Sequence, residues 1–353
     1  MLDWIQVFVG LLGALGLLLI GLGVLALAKN ARRSAAGAEE EHHITVRDLG
    51  KVAHKRAHVV REAVMGKDAL KDFDKQRKRE LKEQQAAKDG KDRVYVVSFN
   101  GDLQASQTQA LREVVNALVP LLRKDRDEVV VRLESPGGVV HGYGLASNQL
   151  LRLRESARKL TVCVDKVAAS GGYMMACLGH EVVAAPFAIV GSIGVLAGVP
   201  NFNRLIKDNK VDYFELTAGK FKRTLSLLGE VTDEKVHKLQ EQLEDIHALF
   251  KDHVKKARPH MDLERVATGE YWHAIRALEL GLVDRLATSD EVIAEALVGA
   301  DVYEVTTHEK ETLKAKLLGR FFGSLARRGT ENLWAGGAGI VPFMAAGPES
   351  YPD

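Results

Sequence analysis

The chain has few cysteines and almost no net charge, and both features narrow the kinds of protein it can be. Its two cysteines, Cys163 and Cys177, lack the CxxC spacing of a zinc or redox site and allow at most one disulfide. We therefore expect both to be small buried hydrophobic residues, and we expect no metal site. The formal net charge of +2 provides no global field that would attract nucleic acid.

The composition is otherwise that of a globular protein. Of 353 residues, 46% are apolar and 27% are charged, which is enough for one large domain or two modest ones. Changes in composition along the chain predict four segments: a membrane anchor at 1–28, a charged helical connector at 29–92, a compact body at 93–300, and a C-terminal strand or helix with a flexible tail at 301–353.

The longest uncharged stretch lies near the start of the chain. From Val7 to Ala28 there are 22 residues without a charge or a strongly polar group. A helix of that length spans roughly 33 Å, enough for the hydrocarbon layer of a bilayer. Trp4 lies at one edge, and Lys29, Arg32 and Arg33 follow the other. We predict a single-pass anchor in contact with membrane lipid.

The sequence also bears on whether the anchor is cleaved and on which side of the membrane the body lies. Residues 26–28 (Ala-Leu-Ala) imitate a signal-peptidase site, but residues 1–6 contain no Lys or Arg and the apolar run exceeds that of a normal signal peptide. An uncleaved anchor is therefore favoured. The basic residues directly after it favour a cytoplasmic body.

Residues 29–92 are strongly charged, with 17 Lys or Arg and 12 Asp or Glu and no proline. Scattered apolar residues, among them Val59, Val60 and Val64, indicate short amphipathic helices. This connector is either a solvated spacer or a surface that contacts lipid headgroups. Aromatic residues that could stack on bases do not interleave with the charges, which argues against nucleic-acid binding.

From residue 93 onward, β-branched runs alternate with helical patterns. Strands are expected at 94–99, 128–133 and 160–164, and helices at 106–124, 145–153 and 233–257. This alternation is typical of an α/β fold with parallel βαβ units. The uncharged stretch at 182–199 is interrupted by Pro186 and three glycines, so it predicts two short core strands and not a second membrane span.

A strand followed by small residues presents a candidate nucleophile. Residues 168–172 read Ala-Ala-Ser-Gly-Gly, which places Ser170 at the start of a short apolar helix. Unpaired backbone N–H groups at such a turn can hold an oxyanion. The motif is weak by itself, because Ser-Gly-Gly also occurs in ordinary loops.

A second loop is expected beside the first. Residues 135–138 (Ser-Pro-Gly-Gly) follow the preceding strand, and loops at the carboxyl ends of parallel strands meet at one edge of the sheet. The N–H groups of Gly138 and Gly171 could then point into one site. The alternative is an ordinary Pro-Gly turn.

The serine requires a base, and the nearby histidines are poor candidates. His180 follows Ser170 by ten residues at the far end of the same short helix, and His141 opens a different helix. Capping or surface roles suit both better. Lys220 and Lys222 are the alternatives, although a lysine in a basic stretch is usually a solvated charge.

Five motifs together resemble the S49 peptidases, the signal peptide peptidase A group. The matching stretches are 135–138, 169–173, 191–195, 219–226 and 268–284, and they cover roughly residues 93–300 in order. The resemblance implies a ClpP/crotonase-like repeated ββα core with a parallel sheet. It also implies a serine–lysine dyad, a location in the bacterial inner membrane with a periplasmic body, and self-association, since family members form ring-like oligomers.

By resemblance, Ser170 matches the nucleophile and Lys222 the general base, whereas Lys220 does not align. Ser192 matches the serine that hydrogen-bonds the lysine amine, and Gly138 matches a glycine of the oxyanion hole, beside Gly171. A lysine acts as a base only as a neutral amine, so it needs a dry surrounding, for which Phe221, Leu225 and residues 191–195 are candidates.

We therefore expect a membrane-anchored serine endopeptidase that needs no cofactor and acts on signal-peptide remnants or other peptides or unfolded segments near the membrane. Two alternatives belong to other classes of protein. One is a catalytically inactive membrane scaffold or peptide-binding protein with the same fold. The other is a crotonase-like acyl-CoA enzyme, for which the sequence lacks an evident acidic base.

Overall fold

The computed structural model describes residues 42–66, 68–73, 75–76, 79 and 91–309. The described residues between 42 and 308 belong to one compact unit. The predicted anchor and the predicted tail lie outside the described residues. Within the described ranges, no helix is both long and apolar enough to cross a membrane.

Ten strands are present among the described residues: β1 (His42–Asp48), β2 (Arg93–Asn100), β3 (Glu128–Glu134), β4 (Lys159–Val164), β5 (Val167–Ala169), β6 (Glu181–Ala184), β7 (Ile189–Gly191), β8 (Tyr271–His273), β9 (Arg285–Leu286) and β10 (Asp301–Glu309). Seven of them form a sheet in the order β1-β10-β2-β3-β4-β6-β9. The pairs from β10 to β9 are all parallel, as the sequence predicts. A smaller sheet has the order β5-β7-β8, with β5 and β7 parallel.

The helices that lie wholly within the described residues are α1 (Leu49–Val64), α2 (Thr108–Leu118), α3 (Val140–Ser156), α4 (Gly171–Ala176), α5 (Asn203–Asp208), α6 (Asp233–Ala257), α7 (Leu263–Val266), α8 (Ala274–Glu279) and α9 (Ser289–Gly299). The described residues of 68–79 are helical as well. The helices α2, α3 and α4 each lie between two neighbouring parallel strands of the large sheet, as expected for crossover connections.

The large sheet is buried on both faces, which explains its near-continuous apolar strands. On one face, α2, α3 and α4 pack against alternate strand residues such as Val97, Val129 and Val162. On the other face, Val292 and Ile293 of α9 cover the opposite residues of the strands. The sheet is therefore the rigid layer on which the loops at its carboxyl edge rest.

Both cysteines are free and buried, as expected. Cys163 lies on β4, and Cys177 follows α4. Burial raises the pKa of each thiol to about 12, so neither is a thiolate at neutral pH.

The long helix α6 begins and ends within the range that the sequence predicts. The Thr232 side chain caps its first turn by accepting a hydrogen bond from the Lys235 N–H, and acidic residues occupy the first turn. Of its apolar positions, only Phe250 and Val254 are buried, whereas Leu249 is 69% exposed. The helix thus packs on the core mainly through its C-terminal half.

Three expectations from the sequence differ from the structure. Residues 42–48 were expected within a helical connector but form strand β1, which pairs with β10. The sequence does not reveal this pairing, because the two strands are about 250 residues apart in the chain and no local pattern links them. The apolar residues Val59, Val60 and Val64 are exposed on α1 and form no amphipathic core face within the described chain. The two strands expected at 182–199 are β6 and β7, but they belong to different sheets.

Candidate active site

Ser170 lies in the sharp turn between β5 and α4. Its backbone adopts φ 52° and ψ −119°, a conformation that a residue with a side chain rarely takes and that costs about 1–3 kcal/mol. The turn is held by the Ser170 N–H, which donates to the Gly191 carbonyl at 2.8 Å. Other hydrolases present a nucleophilic serine on a strained turn between a strand and a helix. The predicted nucleophile thus lies on a strained turn of the kind that presents a catalytic serine in other hydrolases.

Ser192 lies beside Ser170 because β5 and β7 are parallel and in register. Ala169 is paired with Gly191, so each serine is the next residue on its own strand. Their backbones are therefore about 5 Å apart, the spacing of neighbouring strands. Ser192 also has a positive φ of 52°, and its N–H donates to the Glu270 carbonyl at 2.7 Å. The structure thus brings these two predicted site residues together.

The loop after β3 abuts the Ser170 turn. Ser135 forms a parallel bridge to Ala168, which fixes the start of the loop against β5. Gly137 has a φ of 91°, and a Cβ added to it would lie 2.7 Å from the Ser170 Cβ and 2.9 Å from the Gly171 nitrogen. Only glycine allows so close an approach with this backbone. The two motifs that the sequence predicts to be neighbours are in contact.

The backbone N–H groups of Gly138 and Gly171, the pair expected to form an oxyanion hole, have no hydrogen-bond acceptor among the described residues. The same holds for Gly172 and Tyr173, which complete the first turn of α4. Gly171 is buried, so its N–H is a donor that water reaches poorly. Buried backbone donors are nearly always paired, and an unpaired one beside a serine hydroxyl is suited to a charge that forms only during a reaction.

Among the described residues, no hydrogen bond or ion pair joins Lys222 to this cluster. Its N–H donates to the Gly219 carbonyl at 3.1 Å, and its side chain is exposed. Within the described part of the chain, its amine makes no ion pair and no side-chain hydrogen bond. Lys220 differs, because its amine is paired with Glu234 at 2.5 Å. Of the two candidate lysines, Lys222 is the one whose amine has no carboxylate partner.

The dry surrounding expected around Lys222 is not formed by the described chain alone. The Phe221 ring is 39% exposed and faces two ammonium groups, those of Lys220 and Lys238, at 5.1 and 5.4 Å from its centroid. Water reaches Lys222 because residues 195–232 have little regular structure and bury few side chains. They contain only one short helix, α5, and most of their apolar side chains are exposed.

The two histidines considered above as possible bases, His180 and His141, occupy positions that suit structural or surface roles. The Nδ1 of His180 accepts a hydrogen bond from the Leu160 N–H at 2.9 Å, which ties the end of the α4 segment to β4. His141 is exposed in the first turn of α3. The described residues also contain no cluster of three or more His, Cys, Asp or Glu side chains that could hold a metal ion.

Two other histidines, which sequence reasoning missed, connect α6 to the site. The Nε2 of His253 lies 2.8 Å from the Met174 carbonyl of α4, and the Nε2 of His247 lies 3.2 Å from the Ile193 carbonyl, next to Ser192. A carbonyl only accepts, so each Nε2 carries a proton. The available signal was the position of His253 beside the buried Phe250 and Val254 on the apolar face of the helix.

Models of known protein families match most of the chain. The model described as Peptidase family S49 matches residues 152–303, and the one described as Peptidase family S49 N-terminal matches residues 5–150. A protein named probable protease SohB from Haemophilus influenzae is 42% identical over 335 residues, which are 92% of this chain and 93% of that protein.

The chain belongs to peptidase family S49. Two further relatives support the assignment. A probable protease SohB from Buchnera aphidicola subsp. Schlechtendalia chinensis is 52% identical over 200 residues, covering 57% of this chain and 65% of that protein. A putative protease from Synechocystis is 31% identical over 216 residues, covering 59% of this chain and 77% of that protein. Family membership and these names support a peptidase activity.

The first prediction concerns the pH dependence of stability that His253 confers on this S49 chain. Burial lowers the pKa of His253, and the charge of Lys256 adds to this, although the Met174 carbonyl partly opposes the shift. The folded protein therefore binds the proton less readily than the unfolded chain. The stability due to neutral His253 is fully present above about pH 6.5 and is lost progressively as the pH falls below it. Melting temperatures at pH 7.5 and 5.5 should differ less for His253→Gln, whose amide does not titrate, than for the wild type.

The matched control is His141→Gln, which removes an exposed histidine from a different helix. This variant should show the same acid-induced fall in melting temperature as the wild type. Equal falls for His253→Gln and the wild type would contradict the assignment.

Proposed function

We propose that this S49 protein is a serine endopeptidase with Ser170 as nucleophile and Lys222 as general base. The observation that carries the proposal is the strained turn at Ser170, which adjoins Ser192 and two backbone N–H groups without acceptors in the described chain, those of Gly138 and Gly171. The Ser192 hydroxyl would hold the lysine amine. The two N–H groups would hold the oxyanion.

The proposed reaction is acyl transfer through a covalent intermediate. The neutral amine of Lys222 takes the proton of the Ser170 hydroxyl, and the oxygen attacks the peptide carbonyl. The negative charge of the tetrahedral intermediate falls on the former carbonyl oxygen, which accepts hydrogen bonds from the N–H groups. The lysine ammonium then protonates the leaving amine, and water releases the acyl group by the same steps. No cofactor or metal takes part in this scheme.

The proposal requires the Lys222 amine to be shielded from bulk water, and self-association of the protein would bury it. Residues 196–231 carry a set of strongly exposed apolar side chains: Leu196, Phe202, Leu205, Val211, Phe214, Leu216 and Leu227. Exposed apolar surface of this extent is typical of a protein interface. We infer that this segment packs against a second copy of the chain and that packing carries Lys222 towards Ser170.

The dyad is tested by single substitutions in the full chain. Ser170→Ala and Lys222→Ala should each lower the cleavage of casein or a fluorogenic peptide by at least about a thousandfold, because nucleophile and base act as one unit. Melting temperatures should stay near that of the wild type. Lys220→Ala is the matched control, and it should keep most of the activity.

Three outcomes would contradict the dyad. They are activity that survives either substitution, equal losses for Lys220→Ala and Lys222→Ala, and a wild type that binds peptides and cleaves none. The last would favour the scaffold with the same fold.

Self-association is tested with a second pair of variants. The double substitution Phe214→Asp with Leu216→Asp should shift the detergent-solubilised protein to smaller species in light scattering, and should lower peptide cleavage by at least about tenfold. Val298→Asp is the control, because Val298 is equally exposed but lies on α9. A wild type that is both monomeric and fully active would contradict the proposal.

We also propose that residues 7–28 anchor the protein in the bacterial inner membrane and that its substrates are signal-peptide remnants or unfolded segments close to that membrane. The 22 uncharged residues support this. Carbonate washing of membranes should leave the full chain in the pellet and release a variant lacking residues 1–35. Release of both would contradict the anchor.

The side of the membrane follows from reporter fusions after residue 35. Active alkaline phosphatase would place the body in the periplasm, as in the family, whereas a fluorescent cytoplasmic reporter would agree with the basic residues that follow the anchor.

A further inference from the structure

Two buried hydroxyl groups lie where the loop after β3, the Ser170 turn and the loop after β2 meet. They belong to Ser135 and Tyr143, both completely buried. The Ser135 Oγ and the Tyr143 Oη are 2.5 Å apart. The N–H of Gly137 donates to the Ser135 Oγ at 3.1 Å, and the Tyr143 hydroxyl donates to the Asp102 carbonyl at 2.7 Å. One short chain of hydrogen bonds therefore crosses from one loop to the other.

The direction of every bond in this chain is fixed. A carbonyl only accepts, so the single proton of Tyr143 is committed to Asp102. The Ser135 hydroxyl must then donate to the Tyr143 oxygen, and its own lone pair accepts from Gly137. Burial raises the pKa of Tyr143, although the hydrogen bond from Ser135 partly opposes the shift, so the phenol keeps its proton at working pH. All three donors are satisfied in one arrangement only.

The same two side chains are also in van der Waals contact with the Ser170 turn. A Cβ on Gly171 would clash with the Tyr143 ring, and a Cβ on Gly172 would lie 3.1 Å from the Ser135 Cβ. The loop at 101–105 completes the arrangement, since the Leu103 carbonyl accepts a hydrogen bond from the Val139 N–H at 2.9 Å.

We propose that Ser135 and Tyr143 are positioning residues that fix the Gly137–Gly138 loop against the Ser170–Gly171 turn. The proposal rests on the proposed function, because the value of this placement depends on oxyanion binding by the Gly138 and Gly171 N–H groups. Neither side chain touches substrate. They hold two backbone donors, which come from different loops, at a fixed separation.

Such a hydrogen-bond network is needed because oxyanion binding tolerates only small errors in the positions of its donors. Donors stabilise the tetrahedral intermediate only when they lie at hydrogen-bond distance from one oxygen position. The two donors belong to separate loops, and glycines give the loop after β3 little stiffness of its own. A buried and fully satisfied hydrogen-bond network supplies the missing rigidity.

The test uses Tyr143→Phe in the full-length wild-type background. Phenylalanine keeps the ring beneath Gly171 but removes the hydroxyl, so Ser135 loses its acceptor and Asp102 its donor. We expect kcat for a fluorogenic peptide to fall by about 10- to 100-fold, the scale of a small misplacement of catalytic groups. KM should change by less than about threefold, because the lost interaction matters only in the transition state.

Tyr173→Phe is the matched control. Tyr173 is also completely buried and lies on α4, and its hydroxyl donates to the Leu282 carbonyl at 2.9 Å, away from the loops. This variant loses one buried tyrosine hydrogen bond of the same kind. We expect a similar fall in melting temperature for both variants, but kcat of Tyr173→Phe should stay within about threefold of the wild type.

Ser135→Ala provides a second, smaller change should Tyr143→Phe fail to fold. It frees the Gly137 N–H and should lower kcat in the same direction, and the double variant should lose less than the product of the single losses. Unchanged kcat in Tyr143→Phe, or in Ser135→Ala where that variant alone folds, would overturn the proposal, as would an equal loss in Tyr173→Phe. Ser170→Ala distinguishes failure of the positioning role from failure of the proposed function. If Ser170→Ala retains activity, the proposed function is wrong. If Ser170→Ala is inactive while Tyr143→Phe and Ser135→Ala are as active as the wild type, only the positioning role is wrong.

Discussion

The backbone turn at Ser170 is the constraint on which the rest of the site depends. A residue with a side chain has to be held at φ 52° while a parallel strand ends and a helix begins. The cost of about 1–3 kcal/mol is offset by the Gly191 carbonyl, which accepts the Ser170 N–H, and by close packing on the neighbouring loop. Strain of this kind persists only where the surrounding structure fixes the geometry. The N–H of Gly171, which follows Ser170, has no acceptor among the described residues.

The candidate site consists of a rigid part, which rests on buried strands, and an exposed segment that contains Lys222. Ser170, Ser192 and the loop of Gly137 rest on the carboxyl ends of buried parallel strands, and α6 ties two of these segments together through His247 and His253. Lys222 lies instead in an exposed segment with little regular structure. If the proposed roles hold, such a division preorganises Ser170 as the nucleophile and withholds Lys222 as the base until its segment packs against a second copy of the chain.

Much of this architecture could be predicted from the sequence, because its signals are local. Continuous β-branched runs gave β2, β3 and β4, and the spacing of two glycine loops after parallel strands placed residues 135–138 beside Ser170. The pairing of β1 with β10 was out of reach, since it joins distant parts of the chain. The proposed role of Tyr143 was hidden as well, because a single tyrosine on the apolar face of a helix has the same sequence pattern whether or not its hydroxyl has a hydrogen-bond partner.

Mapping the site of covalent modification tests the central claim most directly. The full-length protein in detergent is treated with a fluorophosphonate, digested, and analysed by tandem mass spectrometry. The account predicts one adduct, on the Ser170 hydroxyl, formed at the rate at which peptide cleavage is lost. An adduct on Ser192 in place of Ser170, or full cleavage activity in a protein whose Ser170 is completely modified, would contradict it.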